Sequence, residues 1–412
     1  MPYDPKDKWA TFPTPLYYDY RCFNDELHYN FVDWLFTQFR DANPDVLLFN
    51  KIMDYLRLDY KRYFNEGTNW EMHSALADVN GCDAHSYYTN ANTPMTLKMG
   101  WFDFMTSVKD APVWDTETHI IDDNRTIQYD NLSDYYISAD VYNGAVHGRG
   151  YAVLWLWDLR DAQRPWGDSN AKNANFVFRP GAVSKNAKAG FDLNRLGYEV
   201  EALQKTPAKA AILYSRTTGG YNTNFMNVLY QAHEGLLFSG QKVDFVTESE
   251  LEKMNNYKLL IIPEVTHTGK ATLDAVKAYM DNGGTVVILG SDSLKKDEYD
   301  RPHDETIVNA IYEKAITNSS VEDVVKKLKL SEVELIDAET GEYVDDVEWF
   351  HTEYNGNIIV HISNYHRKLD RTFKVQYMGK DIGEVYELRN RETLKGNITV
   401  KPYQPIMIQF DK

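Results

Sequence analysis

Residues 111–121 read Ala111-Pro112-Val113-Trp114-Asp115-Thr116-Glu117-Thr118-His119-Ile120-Ile121, an apolar run that ends in a carboxylate. Alternation places Val113, Asp115 and Glu117 on one face and Trp114, Thr116 and Thr118 on the other. This is the period of a strand with Glu117 near its C-terminal end. In a parallel α/β barrel that end of the strand carries the catalytic groups. Taken alone, a carboxylate at a strand exit is an ordinary solvated side chain, so the neighbouring elements decide.

Upstream, Pro15 to Glu26 reads as a strand closing in the polar cluster Asn24-Asp25-Glu26, and Leu27 to Arg40 as a helix with Phe31, Trp34, Leu35 and Phe39 at helical spacing. Asp45 to Ile52 is a buried-strand candidate. A short helix lies near Trp70 to Leu76, and Ala77 to Tyr88 is a strand with the polar exit His85-Ser86-Tyr87. A further helix runs from about Thr96 to Val108. Downstream, 133–147 reads as a helix and Gly150 to Asp158 as a buried strand containing Trp155 and Trp157. The result is five strands at α/β spacing, the last part of a (β/α)8 TIM barrel, whereas closure needs eight strands and roughly 250 residues. On this count the first three strands are not in the sequence, and the chain reads as the C-terminal portion of a longer protein.

Residues 160–206 form a long polar connection and then a helix. Pro207 marks a boundary, after which the strands 210–214, 242–246, 258–262 and 284–289 alternate with helices near 222–239, 248–254 and 270–282, followed by a helical tail over 305–331. Short apolar strands alternating with helices predict an open, doubly wound α/β sheet of flavodoxin-like type. From Glu332 the period changes to alternating strands separated by turns such as Tyr354-Asn355-Gly356-Asn357, which predicts a small antiparallel β-sandwich. The expected units are 1–206, 207–331 and 332–412.

A net charge of −17 without a basic cluster disfavours nucleic acid as a partner and favours solubility. The 29 Tyr and 9 Trp suit both sugar stacking and core filling. Cys22 and Cys82 are the two cysteines and have no metal-ligand spacing, so no metal and no cofactor is expected. No apolar run reaches the length of a membrane span, so no membrane partner is expected; localisation is left unassigned, because a signal peptide could precede a longer N-terminus.

Retaining glycoside hydrolysis needs two carboxyl groups roughly 5 Å apart, a donor that orients the nucleophile, and an aromatic floor for the sugar. The exits at Asn24-Asp25-Glu26, His85-Ser86-Tyr87 and Glu117, with Trp155 and Trp157, contain all of these. At this point the chain resembles clan-A glycoside hydrolases of the family 42 β-galactosidase type. The likeness is carried by those exits, by the helix Phe31 to Arg40, by Asn143 to Trp157, and by the order of the three units. The resemblance implies Glu117 as nucleophile and Glu26 as acid/base, with Glu66 of Asn65-Glu66 as the rival. It implies Asn24, His85, Tyr87, Trp155, Trp157 and Glu66 around a carbohydrate substrate. It also implies an amidotransferase-like trimerisation domain and hence a homo-oligomer, by resemblance a trimer. Glutaminase chemistry in that domain is excluded in its usual form, since the candidate elbow reads Gly290-Ser291-Asp292-Ser293 and both cysteines lie elsewhere. The alternative function is a carbohydrate-binding or assembly protein without turnover.

Overall fold

The computed structural model describes residues 14–53, 67–88, 94–119, 131–155, 179–222 and 224–412. It opens not on a strand but on a 28-residue helix, α1 (Pro15–Ala42). The Thr14 side chain accepts from the Tyr17 N–H at 3.3 Å, and Pro15 occupies the first turn. Pro has no N–H to lose there, so Thr-Pro is a helix start. Tyr17, Arg21, Asp25, Val32 and Phe36 form the buried face. Asn24 and Glu26 therefore flank an inward-pointing Asp25 in mid-helix, and Glu26 is exposed. The expected strand over 15–26 is thus corrected: its tyrosines favour strands individually, but the spacing of four residues between buried positions is that of a helix.

Four parallel strands follow in consecutive order: β1 (Ile52–Met53), β2 (Asn80–Asp83), β3 (Val113–His119) and β4 (Arg149–Trp155). The expected strand over 45–52 is ladder-paired only at its end. Its middle is tied instead to the connection before β2: the Leu48 N–H donates to the Asp78 carboxylate at 2.7 Å, and the Asp78 N–H to the Leu48 carbonyl at 2.8 Å. Gly81 permits this approach, because a Cβ there would stand 2.2 Å from the Asn50 carbonyl oxygen. Helices α2 (Trp70–Leu76), α3 (Met95–Val108) and α4 (Asn131–Val146) connect the strands, and α5 (Pro180–Arg195) and α6 (Gly197–Gln204) follow.

Next come β5 (Ala210–Tyr214), β6 (Val243–Thr247), β7 (Leu259–Pro263) and β8 (Thr285–Leu289), all parallel in the order β6-β5-β7-β8. The reversal of order at β5 is that of a doubly wound sheet. Helices α7 (Arg216–Tyr221), α8 (Phe225–Leu237) and α9 (Lys270–Asp281) connect its strands, with a 3-10 turn at Leu251–Asn256 where a helix was expected over 248–254. Nine short strands, β9 (Val333–Asp337) to β17 (Ile406–Asp411), then pair antiparallel in two sheets around Trp349, whose indole donates to the Val333 carbonyl at 2.9 Å.

One core runs through the first two regions. Trp70, Trp101, Phe104, Tyr214 and Phe245 pack in successive ring contacts of 4.8 to 5.8 Å. Arg216 adds a charged tie, donating through two nitrogens to Asp25 at 2.7 and 2.6 Å. Among the described residues no helix is long and apolar enough to cross a membrane.

Candidate active site

β3 does not keep the simple alternation of its sequence. Its pairing with β4 shifts register between Asp115 and Thr118, so Thr116 and Glu117 have no partner in that ladder. Asp115 and Thr118 are both fully buried, and the Thr118 hydroxyl donates to the Asp115 carboxylate. The expected faces are corrected accordingly. A bulge of this kind re-aims a side chain, and the one displaced here is Glu117, whose side chain keeps 22% of its exposure.

Glu117 is met by Lys51, the residue before β1. The Lys51 ammonium donates to the Glu117 carboxylate and lies 3.3 Å from Asp83 Oδ2 at the end of β2. His85 Nε2 stands 3.4 Å from the other Asp83 oxygen. Burial alone would lower the Lys51 pKa, but the two carboxylates raise it above the ordinary lysine value. Lys51, just before β1, thus joins Asp83, His85 and Glu117 in a charged group at the C-terminal ends of β2 and β3. Tyr87 follows on the same exit, its ring 5.9 Å from that of His85.

Beneath this rim lies a buried, charge-balanced layer. Arg149 donates to Asp140 at 2.8 Å and lies 3.5 Å from Asp115. Lys98 lies 3.4 Å from Asp115 and 3.1 Å from Asp140, and the Ser86 hydroxyl donates to Asp140 at 3.0 Å. Burial would raise the Asp140 pKa, yet Lys98 and Arg149 hold it below the usual carboxylate range. Two cations against two carboxylates make an enclosed charge pattern that fixes the backbone carrying Glu117, and Asp115 also accepts the Ala84 N–H at 3.1 Å.

Of the residues expected around a sugar, the structure brings His85 and Glu117 into one charged group and leaves Tyr87 beside it. Trp155 ends β4, its side chain outside the described residues; Trp157 and Glu66 lie outside them altogether. Glu26 and Asn24 sit on α1 rather than at a strand exit. Lys51, Asp83 and the Lys98–Asp115–Asp140–Arg149 layer were not singled out from the sequence. No local motif marks them; an apolar strand carrying an internal Asp, as in Val113 to His119, was the available signal. Among the described residues no cluster of His, Cys, Asp and Glu is disposed to hold a metal ion.

Comparisons with known proteins add a domain match over part of the chain and a fold over nearly all of it. Residues 208–367 match the model of the beta-galactosidase trimerisation domain. No curated protein matches the chain. The fold is similar to an apo exo-carrageenase of family GH42 from Bacteroides ovatus, with 22% identity and a TM-score of 0.81 over 99% of this chain and 57% of that one. It is also similar to a catalytic mutant of Gan42B, a GH42 β-galactosidase from G. stearothermophilus, with 14% identity and a TM-score of 0.73 over 97% and 68%. A β-galactosidase from Bacillus circulans sp. alkalophilus gives 13% and 0.69 over 95% and 67%. The chain therefore spans little more than half of the first of these proteins and about two thirds of the others. It resembles the GH42 glycoside hydrolases of clan A in its α/β fold, with parallel sheets followed by antiparallel ones.

Proposed function

We propose that β1–β4 form one arc of the (β/α)8 barrel of a retaining glycoside hydrolase for β-linked, β-galactoside-like sugars, with Glu117 as its nucleophile. One observation supports this above the others: a partly open carboxylate at the C-terminal end of a parallel strand, moved out of the ladder by a bulge and held beside a cation. Consecutive strand order suits a barrel arc, whereas a doubly wound sheet reverses.

In this scheme the Glu117 carboxylate attacks the anomeric carbon while an acid/base protonates the departing oxygen, and water then hydrolyses the glycosyl ester. Lys51 holds and orients the Glu117 carboxylate through their ion pair. Asp83 offers the ammonium a second carboxylate when a sugar takes its place at Glu117. His85, Tyr87 and Trp155 are the proposed sugar contacts, joined by Trp157. Glu26, exposed on α1, is not given the acid/base role, and its rival Glu66 lies outside the described residues. Further βα strands would pack on the edges of β1 and β4 and on the α1 stripe Leu16, Phe23, Leu27, Phe31 and Trp34, each more than half exposed.

Incubation of the chain, complemented with the part of the Bacteroides ovatus protein that lies outside the matched 57%, with an activated 2-deoxy-2-fluoro-β-galactoside, followed by peptide mass spectrometry, tests the assignment. The expected result is one glycosyl adduct, on the peptide containing Glu117. A carbohydrate-binding or assembly protein without turnover is the second reading, favoured by the ion pair that occupies Glu117; sugar binding without any adduct would establish it. A label on another carboxylate would sink the nucleophile assignment.

The 208–367 region is proposed to assemble the chain as a homotrimer, on the strength of its family model. Light scattering is expected to give three times the chain mass of 47.7 kDa. A monomer at every concentration would remove the idea.

A further inference from the structure

A groove of about 360 Å³ runs along the seam between helices α4 and α5 and the C-terminal strands, a volume in the range of small-ligand sites. The chain carries a net charge of −17, yet the charged side chains lining this groove are Lys185, Lys188, Arg389 and Lys401 against Glu387 and Glu392. Two of these cations are already paired with carboxylates behind the lining, Lys185 with Asp134 at 3.9 Å and Arg389 with Asp192, which leaves Lys188 and Lys401 as the open positive charges beside Glu392.

Of the lining carboxylates, Glu387 adds little to the open charge. Glu387 is fully buried and accepts the backbone N–H groups of Arg389 at 2.9 Å, Asn390 at 2.6 Å and Met407 at 3.3 Å, so its charge is already solvated by amides. Arg389 is held rigid: it donates to Asp192 at 3.1 Å and its guanidinium lies 4.1 Å from the centre of the Tyr142 ring. Lys185 lies over the Tyr135 ring at 4.5 Å. Lys188 reaches only the neutral Asn390 side chain, at 3.0 Å, and among the described residues neither it nor Lys401 has a carboxylate within ion-pair distance. Two exposed ammonium groups, an amide and a tyrosine ring thus face one trough.

One wall of the groove packs, through buried rings, toward the exit of β2. Tyr403 of its wall, held at a φ of 54°, meets Tyr136 of α4 at 4.9 Å and Tyr88 at 6.2 Å, and Tyr88 is the residue after Tyr87.

We infer that this seam groove is a binding site for an acidic oligosaccharide, with Lys188 and Lys401 contacting a sulfate or carboxylate on the sugar ring and Tyr135 its apolar face. A flat ring beside cations suits a charged sugar, since stacking and charge-assisted hydrogen bonds act on different parts of the same ring. This deepens the glycosidase reading by naming an anionic substrate class, but it is tested by binding alone and does not need turnover.

Titration calorimetry of the full chain and its Glu117→Gln variant uses three tetrasaccharides of equal length: a sulfated galactan, a polyuronate and a neutral galactan. The expected result is that at least one acidic oligosaccharide binds both proteins at least tenfold more tightly than the neutral one, with affinity falling as salt rises. The acidic ligand that binds more tightly identifies the group recognised. Lys188→Gln and Lys401→Gln should each weaken that ligand about tenfold and their combination about a hundredfold, without shifting the melting temperature, because both side chains are exposed. The proposal is overturned by equal affinity for all three sugars, by variants that bind as the unaltered chain does, or by no binding at millimolar concentration. Failure of covalent trapping at Glu117 with lysine-dependent binding intact would reject the nucleophile and leave the groove standing.

Discussion

Glu117→Gln is expected to lower hydrolysis of an aryl β-galactoside by a factor on the order of 10⁴ to 10⁶, the scale on which loss of a covalent nucleophile acts. Glutamine keeps the shape but cannot form the glycosyl ester, and it releases Lys51 from its shortest contact. The rate belongs to a sheet flanked on both edges, since preorganised charge is worth most in a site closed to water. The comparison is therefore made in the chain complemented with the part of the Bacteroides ovatus protein that lies outside the matched 57%. The 412-residue chain by itself is expected to turn over far below the ordinary enzyme scale of about 10 per second. Glu26→Gln should leave the complemented rate within about twofold, a margin of well under 1 kcal/mol, because Glu26 lies exposed on α1. A Glu117→Gln enzyme that retains a tenth of the rate would exclude Glu117 as nucleophile.

The second large effect is expected at His147, where all three regions of the chain meet. His147 Nδ1 stands 2.7 Å from Asp103 on α3, and its Nε2 stands 2.7 Å from Glu348 on β10 (Val347–Tyr354). His233 of α8 reaches the second Asp103 oxygen at 2.8 Å, and the Tyr365 hydroxyl donates to Glu348 at 2.5 Å. All of these side chains except Tyr365 are almost fully buried. Burial alone would lower the His147 pKa, but the two carboxylates raise it to about 10. Burial would likewise raise Asp103 and Glu348, and the imidazolium holds both below their usual range. His147→Gln leaves two buried carboxylates without that cation, and is expected to cost about 3–5 kcal/mol, read as a fall in the urea midpoint.

The pH dependence has a definite sign. A histidine raised in the folded state contributes fully below its unfolded value, about 6.5, and the contribution is lost as pH rises toward 10. The depressed carboxylates contribute above about pH 4 and lose their contribution as pH falls through their folded values. Stability from this cluster is thus largest between about pH 4 and 6.5 and declines by up to about 1.4 kcal/mol per unit between roughly pH 7 and 10. His147→Gln should flatten the alkaline decline. An unchanged slope in the variant would show that His147 is neutral in the folded protein.

How much of this was legible beforehand differs by region. The strands over 210–214, 243–247, 259–263 and 285–289 are legible in the sequence to within a residue, because each is a short apolar run buried on both faces and bounded by polar turns. The antiparallel strands over 333–337, 357–364, 371–377 and 406–411 are legible in the same way, since alternation and Gly-containing turns are local signals, whereas Val347–Tyr354 and the short strands between 380 and 400 are not singled out by them. Glu117 was singled out for the same reason: a strand ending in a carboxylate is visible in seven residues.

Order and type of the regular elements are thus written locally in the chain over most of 208–412, where the pattern repeats within a few residues. Elsewhere long-range packing made the choice. Residues 15–26 carry strand-favouring tyrosines and a helical spacing together, and the choice fell to the face that could be buried, with Asp25 tied to Arg216, which is 191 residues away. The site was decided in the same way. Lys51 meets Glu117 across 66 residues, and Asp140 meets Lys98 across 42. Such pairs leave no period in the sequence: a charge becomes compulsory at those positions only after folding removes water and leaves another charge to be balanced.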